Sequence, residues 1–140
     1  MARIAAATAF YFVLVMAAGF LLGPVRVLAL EPRVGEFWAI LIEAPFLLAV
    51  IIAAAHWVTG KFAMRREPGA LIAMGLGALA LTLAAEIMIG QALRGVAPSA
   101  YIARFATAQG FVYGALLLVY AAAPLILSRI GAARRRDGSE

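Results

Sequence analysis

Four long apolar runs, separated by short segments with charged, proline or glycine residues, constrain the fold of this chain more than any other feature. They extend over residues 4–22, 37–59, 69–93 and 106–127. The shortest run has 19 residues, and a helix of that length crosses nearly all of a hydrocarbon layer of about 30 Å. Composition agrees, because 66% of the residues are hydrophobic and 14% are charged, whereas soluble domains are about half apolar and a quarter charged. The sequence therefore predicts an all-α integral membrane protein.

The connections between the runs predict how the helices are arranged. Short loops place successive helices side by side, so we expect an antiparallel four-helix bundle. Gly23-Pro24 predicts the end of the first helix, and Pro32 with Gly35 breaks the first loop. Residues 1–133 are expected to form a single four-span domain, followed by a polar cytoplasmic tail over residues 134–140.

The distribution of lysine and arginine predicts the orientation. If the N-terminus is in the cytoplasm, eight basic residues lie on the cytoplasmic side and four on the outer side. The eight are Arg3, Lys61, Arg65, Arg66, Arg129 and Arg134 to Arg136, and the four are Arg26, Arg33, Arg94 and Arg104. Because basic residues concentrate on the cytoplasmic side of membrane proteins, we expect both termini there. This placement also explains the net charge of +5, so we expect no nucleic-acid partner.

Two glutamates lie inside the apolar runs, where a charge costs about 2.5–3.5 kcal/mol at the centre of a helix. Glu43 lies six residues after Phe37, which is about 9 Å from the outer end of the second helix. Glu86 lies seven residues before Leu93, about 10 Å from the outer end of the third. The second and third helices run in opposite directions, and each thus places one carboxyl group at about the same depth in the membrane.

Other polar side chains reach the same level, so the sequence predicts one polar cluster in the outer half of the bundle. Its members are Glu36, Glu43, Glu86, Arg26, Arg94, Arg104, Gln109 and Tyr113. The arginines at the helix ends are the expected counter-charges of the glutamates. Small residues at four-residue spacing allow close helix packing nearby, namely Ala78, Thr82 and Gly90 in the third helix and Ala106, Gly110 and Gly114 in the fourth.

Two interpretations of this cluster stay open. The glutamates either form a buried salt-bridge network that fixes helix register, or they form a binding or proton-handling site. The arginines likewise either extend to lipid headgroups or bind an anion such as a lipid phosphate.

The remaining polar residues predict no catalytic, cofactor or metal site. The chain has no cysteine and a single histidine, His56, whereas metal and haem sites normally need more such ligands. We expect His56 to lie with Trp57 at the membrane interface. Tyr11 and Tyr120 lie at similar depths and are expected to pack or hydrogen-bond across helices.

Three motifs around the first loop carry a resemblance to a known family: Gly23-Pro24-Val25-Arg26-Val27-Leu28, Glu31-Pro32-Arg33-Val34-Gly35-Glu36 and Glu43-Ala44-Pro45. In these motifs the chain resembles small uncharacterised four-span membrane proteins of bacteria. The resemblance implies a location in the bacterial inner (plasma) membrane and brings no activity with it. Small multidrug transporters also have four spans and a membrane glutamate, but their glutamate lies in the first helix, where this chain has no acidic residue.

The sequence thus favours a non-enzymatic membrane protein, an accessory or assembly partner whose cluster fixes packing or binds a small anionic or lipid group. Its expected partners are the lipid bilayer and either a larger membrane protein or a second copy of the chain. The alternative is a small transporter or channel in which Glu43 and Glu86 bind protons or a cation. A weaker alternative is a lipid-modifying enzyme that uses one of these acids as a base.

Overall fold

The computed structural model describes the backbone of residues 1–137 and the side chains of residues 1–134. Four long helices dominate it: α1 (Ala2–Val25), which continues through a π-helix (Arg26–Leu30) into α2 (Glu31–Val34), and then α3 (Glu36–Lys61), α4 (Pro68–Arg94) and α6 (Ala108–Asp137). A short helix, α5 (Pro98–Ala103), and a 3-10 turn (Arg104–Ala106) connect α4 to α6. The described residues contain no strand, so the predicted all-α fold is confirmed.

The four long helices make the chain a multi-pass membrane protein. Each is long and apolar enough to cross a bilayer, and only 11% to 22% of the residues in its most apolar window are buried inside the bundle. Apolar side chains that face outward in such number require lipid around them. The predicted span over residues 106–127 begins two residues before α6, and α6 continues to Asp137, through the first part of the predicted tail. Residues 138–140 of that tail lie outside the described residues.

The first helix does not end at Gly23-Pro24, as the sequence predicted. Pro24 lies inside α1, where a proline removes one backbone hydrogen bond and crowds the carbonyl group four residues earlier. Directly after it the chain widens into the π-helix, where the N–H of Glu31 donates to the carbonyl oxygen of Arg26, five residues before it. The break comes at Gly35, which has a φ of +85°, a value that favours glycine.

The long helices occupy the four corners of a square. α1 and α6 each pack against both α3 and α4. Across the centre, the rings of Tyr11 and Tyr120 stack at 4.7 Å, and the Tyr11 hydroxyl donates to the Tyr120 carbonyl oxygen at 2.8 Å. The expected contact of these two tyrosines across helices is therefore present. The stacked rings of Tyr11 and Tyr120 fill the middle of the bundle.

Successive helices lie side by side across the first and third connections but not across the second. Within the described residues, α3 and α4 occupy opposite corners rather than packing along their lengths. The six residues 62–67 between them can reach about 20 Å, which exceeds the diagonal of a bundle with 8–10 Å between neighbouring axes. Because α3 and α4 lie at opposite corners, a side chain on α3 does not contact a side chain at the same level on α4, as it would if the two helices were neighbours.

The core lies in the half of the bundle that contains the start of α1. Its largest buried side chains are Tyr11, Ile51, Val58, Met64, Leu71, Met74 and Tyr120, each at most 2% exposed. α4 and α6 approach closely at Gly75, where a Cβ atom would lie 2.0 Å from the carbonyl oxygen of Ala121. At the end of this half, both carboxylate oxygens of Glu67 accept from Arg3, at 2.5 and 2.6 Å. We call this the Arg3 end.

Candidate functional site

The polar side chains predicted to form a cluster lie at the opposite end of the bundle, which we call the Arg26 end. Arg26 follows Arg3 by 23 residues, or about 35 Å along a helix. Glu86 follows Glu67, the partner of Arg3, by 19 residues, or about 28 Å. If the ion pair of Arg3 and Glu67 lies at one face of a hydrocarbon layer about 30 Å thick, Arg26 and Glu86 lie near the other face.

Arg26, Glu31 and Glu43 form the first of two polar groups, which we call the arginine site. Arg26 Nε lies 3.0 Å from Glu43 Oε2 and 3.8 Å from Glu31 Oε1. The Nε–H is buried and not aligned for a hydrogen bond, so the contact with Glu43 is an ion pair. The three side chains are largely covered, with exposed fractions of 23%, 28% and 14% in chain order.

The π-helix explains why Arg26 and Glu31 lie together. In an α-helix, side chains five residues apart point about 140° away from each other at 100° per residue. A π-turn is wider and closes its hydrogen bond over five residues, which brings positions 26 and 31 to one side. The sequence pattern Arg-x-x-x-x-Glu therefore forms a contact here that regular helix geometry would not allow.

A cavity of about 180 Å³ opens beside the arginine site, between the end of α1 and α3. Arg26 and Glu43 lie beside it, but its surface is almost entirely apolar, and its other lining residues are Leu22, Val25, Leu30, Ile42 and Phe46. Val25 and Phe46 are 55% and 62% exposed, so the rim of the cavity is apolar and faces the surroundings of the bundle.

Glu86, Tyr101 and Tyr113 form the second group, which we call the Glu86 site. The Tyr113 hydroxyl donates to Oε1 of Glu86 and the Tyr101 hydroxyl to Oε2. Both carboxylate oxygens are thus bound by neutral donors. Burial raises the pKa of Tyr101, and the hydrogen bond to Glu86 raises it further, so this phenol remains protonated and continues to donate at neutral pH.

The segment that carries Tyr101 is held against α6 by a glycine and by ring contacts. At Gly110, a Cβ atom would lie 1.8 Å from the carbonyl oxygen of Arg104, so only glycine permits this approach. The ring of Phe105 lies 5.8 Å from that of Tyr101 and 6.1 Å from that of Tyr113. Thr107 caps α6, because its hydroxyl accepts from the N–H of Gly110 at 3.0 Å.

The structure brings together some of the predicted cluster residues and separates others. Arg26 meets Glu43 and Tyr113 meets Glu86, but within the described side chains no hydrogen bond or ion pair joins the two groups. Their separation follows from the diagonal placement of α3 and α4.

The other four predicted residues take no part in these contacts among the described residues. Glu36 and Arg94 are exposed, and Arg94 lies eight residues from Glu86, about 12 Å along α4. The Arg104 guanidinium lies 5.7 Å from the centre of the Tyr101 ring, a cation–π contact. Gln109 is half-buried one turn before Tyr113.

Two residues of these groups, Glu31 and Tyr101, were not predicted. Glu31 is five residues from Arg26, and in a regular α-helix side chains at that spacing do not lie on the same face. Tyr101 lies in a connection that the sequence marks mainly by Pro98, although Pro98 also starts the short helix α5, as proline does at a first helical position. The pair Tyr101 and Phe105, four residues apart, was the available signal that this connection packs against the bundle.

Comparisons of the chain with protein families, curated proteins and solved structures find no match. A proposal for its function therefore rests on the residues and contacts described above.

Proposed function

We propose that this chain is a non-enzymatic accessory or assembly partner of another membrane protein, located in the bacterial inner membrane with both termini in the cytoplasm. The observation that carries the proposal is that both glutamates in the spans are already bound by side chains from other helical segments. Arg26 pairs with Glu43, and Tyr101 and Tyr113 donate to Glu86. A surface that is fixed in this way loses little conformational entropy when a partner binds.

The interior of the bundle favours this role over that of a proton- or cation-coupled transporter. A row of polar groups does run inward from Glu86: the Thr82 hydroxyl lies one turn away and donates to that of Tyr120 at 3.5 Å. Within the described part of the chain, this row ends at Tyr11 in the centre of the bundle. Between Tyr11 and the Arg3 end the buried side chains are mainly apolar, among them Val58, Met64 and Leu71. The buried Thr8 and Thr59 in this half donate to carbonyl oxygens of their own helices, those of Ile4 and Ala55.

The first test measures flux and stability on the same purified protein. In liposomes, we expect the wild-type chain to give no proton or cation flux above that of empty vesicles. We expect Glu43→Gln to lower thermal stability and Arg26→Gln to do the same, because each leaves a buried group without its partner. The double variant should recover part of the loss, with a coupling energy of about 0.5–3 kcal/mol. Flux that depends on Glu43 or Glu86 would instead establish the transporter.

The second test asks whether a partner covers one face of the bundle in its native membrane. A photo-crosslinking amino acid is placed in turn at four exposed apolar positions, one on each long helix: Leu21, Phe46, Leu76 and Leu118, which are 75%, 62%, 57% and 70% exposed. An accessory protein predicts crosslinks to one other membrane protein from one or two neighbouring helices only. Crosslinks to lipid alone from all four positions would contradict the proposal, and crosslinks to the chain itself would identify a dimer.

A further inference from the structure

The guanidinium of Arg26 has more donors than its neighbours use. Its Nε lies 3.0 Å from Glu43 and 3.8 Å from Glu31, and among the described residues no hydrogen bond binds its two terminal nitrogens. These nitrogens carry four N–H groups in one plane, which is the geometry that binds two oxygens of a phosphate. Such a group would lie against these nitrogens, next to the apolar cavity.

The charges of the arginine site favour a ligand that carries both a negative and a positive group. Arg26 contributes one positive charge, and Glu31 and Glu43 contribute two negative charges within 4 Å of it. A purely anionic ligand would bind to Arg26 but would be repelled by the two carboxylates. A ligand with both a phosphate and a nearby ammonium group satisfies all three side chains, because the ammonium group donates to the carboxylates.

The position and the lining of the cavity indicate that this ligand is a lipid. Arg26 lies near the boundary of the hydrocarbon layer, which is the level of phospholipid headgroups. The remaining lining, from Leu22 to Phe46, is apolar, and Leu21 and Leu28 continue the apolar surface at 75% and 78% exposed. The apolar cavity of about 180 Å³ would take a short part of an acyl chain, with the headgroup against the charged side chains and the rest of the chains along this outer surface.

We infer that the arginine site binds a zwitterionic phospholipid with a primary ammonium group, that is, a phosphatidylethanolamine. Its phosphate accepts hydrogen bonds from the terminal nitrogens of Arg26, and its ammonium group donates to Glu31 and Glu43. A choline headgroup carries the same charges but has no N–H to donate, so it binds more weakly. This inference extends the expectation of a lipid site and does not depend on the accessory role, since a lipid can bind here with or without a protein partner.

The experiment is native mass spectrometry of the purified full-length protein after exchange into mixtures of defined lipids. With equal amounts of phosphatidylethanolamine, phosphatidylcholine and phosphatidylglycerol, we expect retention of the ethanolamine lipid to exceed that of the other two by about tenfold or more, because the loss of a single hydrogen bond to a charged group already has about that effect. Equal retention of ethanolamine and choline lipids would overturn the inference. Preference for the glycerol lipid would also overturn it, since that lipid is anionic.

Variants and matched controls locate the site. Glu31→Gln removes the negative charge and one of the two acceptor oxygens without touching the pair of Arg26 with Glu43, and it should reduce the preference for ethanolamine over choline several-fold. Ile42→Trp fills the cavity without changing any charge and should lower retention of all three lipids. Arg33→Gln and Glu36→Gln change exposed residues of the same types outside the cavity and should leave retention unchanged. An unchanged preference in both Glu31→Gln and Ile42→Trp would contradict the site.

Soluble phosphoethanolamine separates the headgroup from the lipid. It should displace the bound ethanolamine lipid only at concentrations far above that of the lipid, because it lacks acyl chains. Displacement at equal concentration would show that the apolar lining contributes nothing, and the lipid assignment would then be wrong. Each of these outcomes is independent of the crosslinking result, so the lipid site and the accessory role can fail separately.

Discussion

At the scale of single residues, the two membrane glutamates solve one problem in two ways. A carboxylate in a span needs a positive charge or several hydrogen-bond donors. Glu43 has the guanidinium of Arg26 at 3.0 Å, whereas Glu86 has two phenol hydroxyls and no ion pair among the described residues. Removing the charge of Arg26 should therefore disturb Glu43, whereas removing a tyrosine hydroxyl should disturb Glu86.

Removing one hydroxyl from the Glu86 site should destabilise the protein. We expect Tyr101→Phe and Tyr113→Phe each to lower the free energy of unfolding by about 1–3 kcal/mol, because each leaves one carboxylate oxygen without its donor. Thermal unfolding in a mild detergent measures this. In a Glu86→Leu background the same tyrosine changes should have little effect, and a full effect there would place their role elsewhere.

Sequence reasoning at this scale identified both membrane glutamates but only two of the three side chains that bind them directly. Glu43, Glu86, Arg26 and Tyr113 were predicted from depth, because the level of a residue in a span follows from its number and the helical rise. Which residues at that level touch each other depends on helix rotation and on which helices are neighbours. Neither follows from hydropathy, so Tyr101 was missed and Arg94 was assigned to a carboxylate about 12 Å from it.

At the scale of elements, the π-helix and the short helix α5 position the polar groups. The π-helix brings Glu31 next to Arg26, and α5 carries Tyr101 to Glu86. Both lie where the sequence predicted a helix end or a loop, because proline marks each of them. Proline only excludes a backbone donor, and here the chain continues past it in a wider turn at Pro24 and starts a helix with it at Pro98.

The close approach of α6 to the 3-10 turn gives a matched pair of glycine variants. Gly110→Ala places a Cβ atom 1.8 Å from a backbone oxygen of Arg104, whereas at Gly114, one turn later, the nearest atom is a Phe105 ring carbon at 3.5 Å. We expect Gly110→Ala to lower the free energy of unfolding by about 1–3 kcal/mol and to uncouple Tyr101 from Glu86. Gly114→Ala should be neutral or stabilising by up to about 1 kcal/mol, since alanine favours helix. Equal effects of the two would show that the turn moves freely.

At the scale of the whole molecule, hydropathy determines the number of spans but not their arrangement. The four predicted runs correspond to the four long helices, and this part of the fold follows from the length of each run. The diagonal placement of α3 and α4 does not, because a connection of six residues is long enough for neighbours and for opposite corners alike. It explains why the single predicted cluster became two groups.

The absence of cysteine makes the proposed orientation directly measurable. Single cysteines are introduced at Ser99, which is exposed near the Arg26 end, and at Gly69, which is exposed near the Arg3 end. In intact cells, a membrane-impermeant thiol reagent should label Ser99→Cys and leave Gly69→Cys unlabelled until the cells are broken. The opposite pattern would reverse the orientation and place the arginine site on the cytoplasmic side.

The length of the first helical segment makes the protein sensitive to the membrane that surrounds it. Its 33 residues, Ala2–Val34, measure about 50 Å, so the turns after Arg26 rise through the headgroups and emerge from them. A thicker bilayer would draw Arg26 and Glu31 into the acyl chains, and a thinner one would leave them in water. Such hydrophobic mismatch costs only fractions of a kcal/mol per Å but sorts proteins among membranes. Bilayer thickness therefore sets whether the arginine site lies at the level of the headgroups.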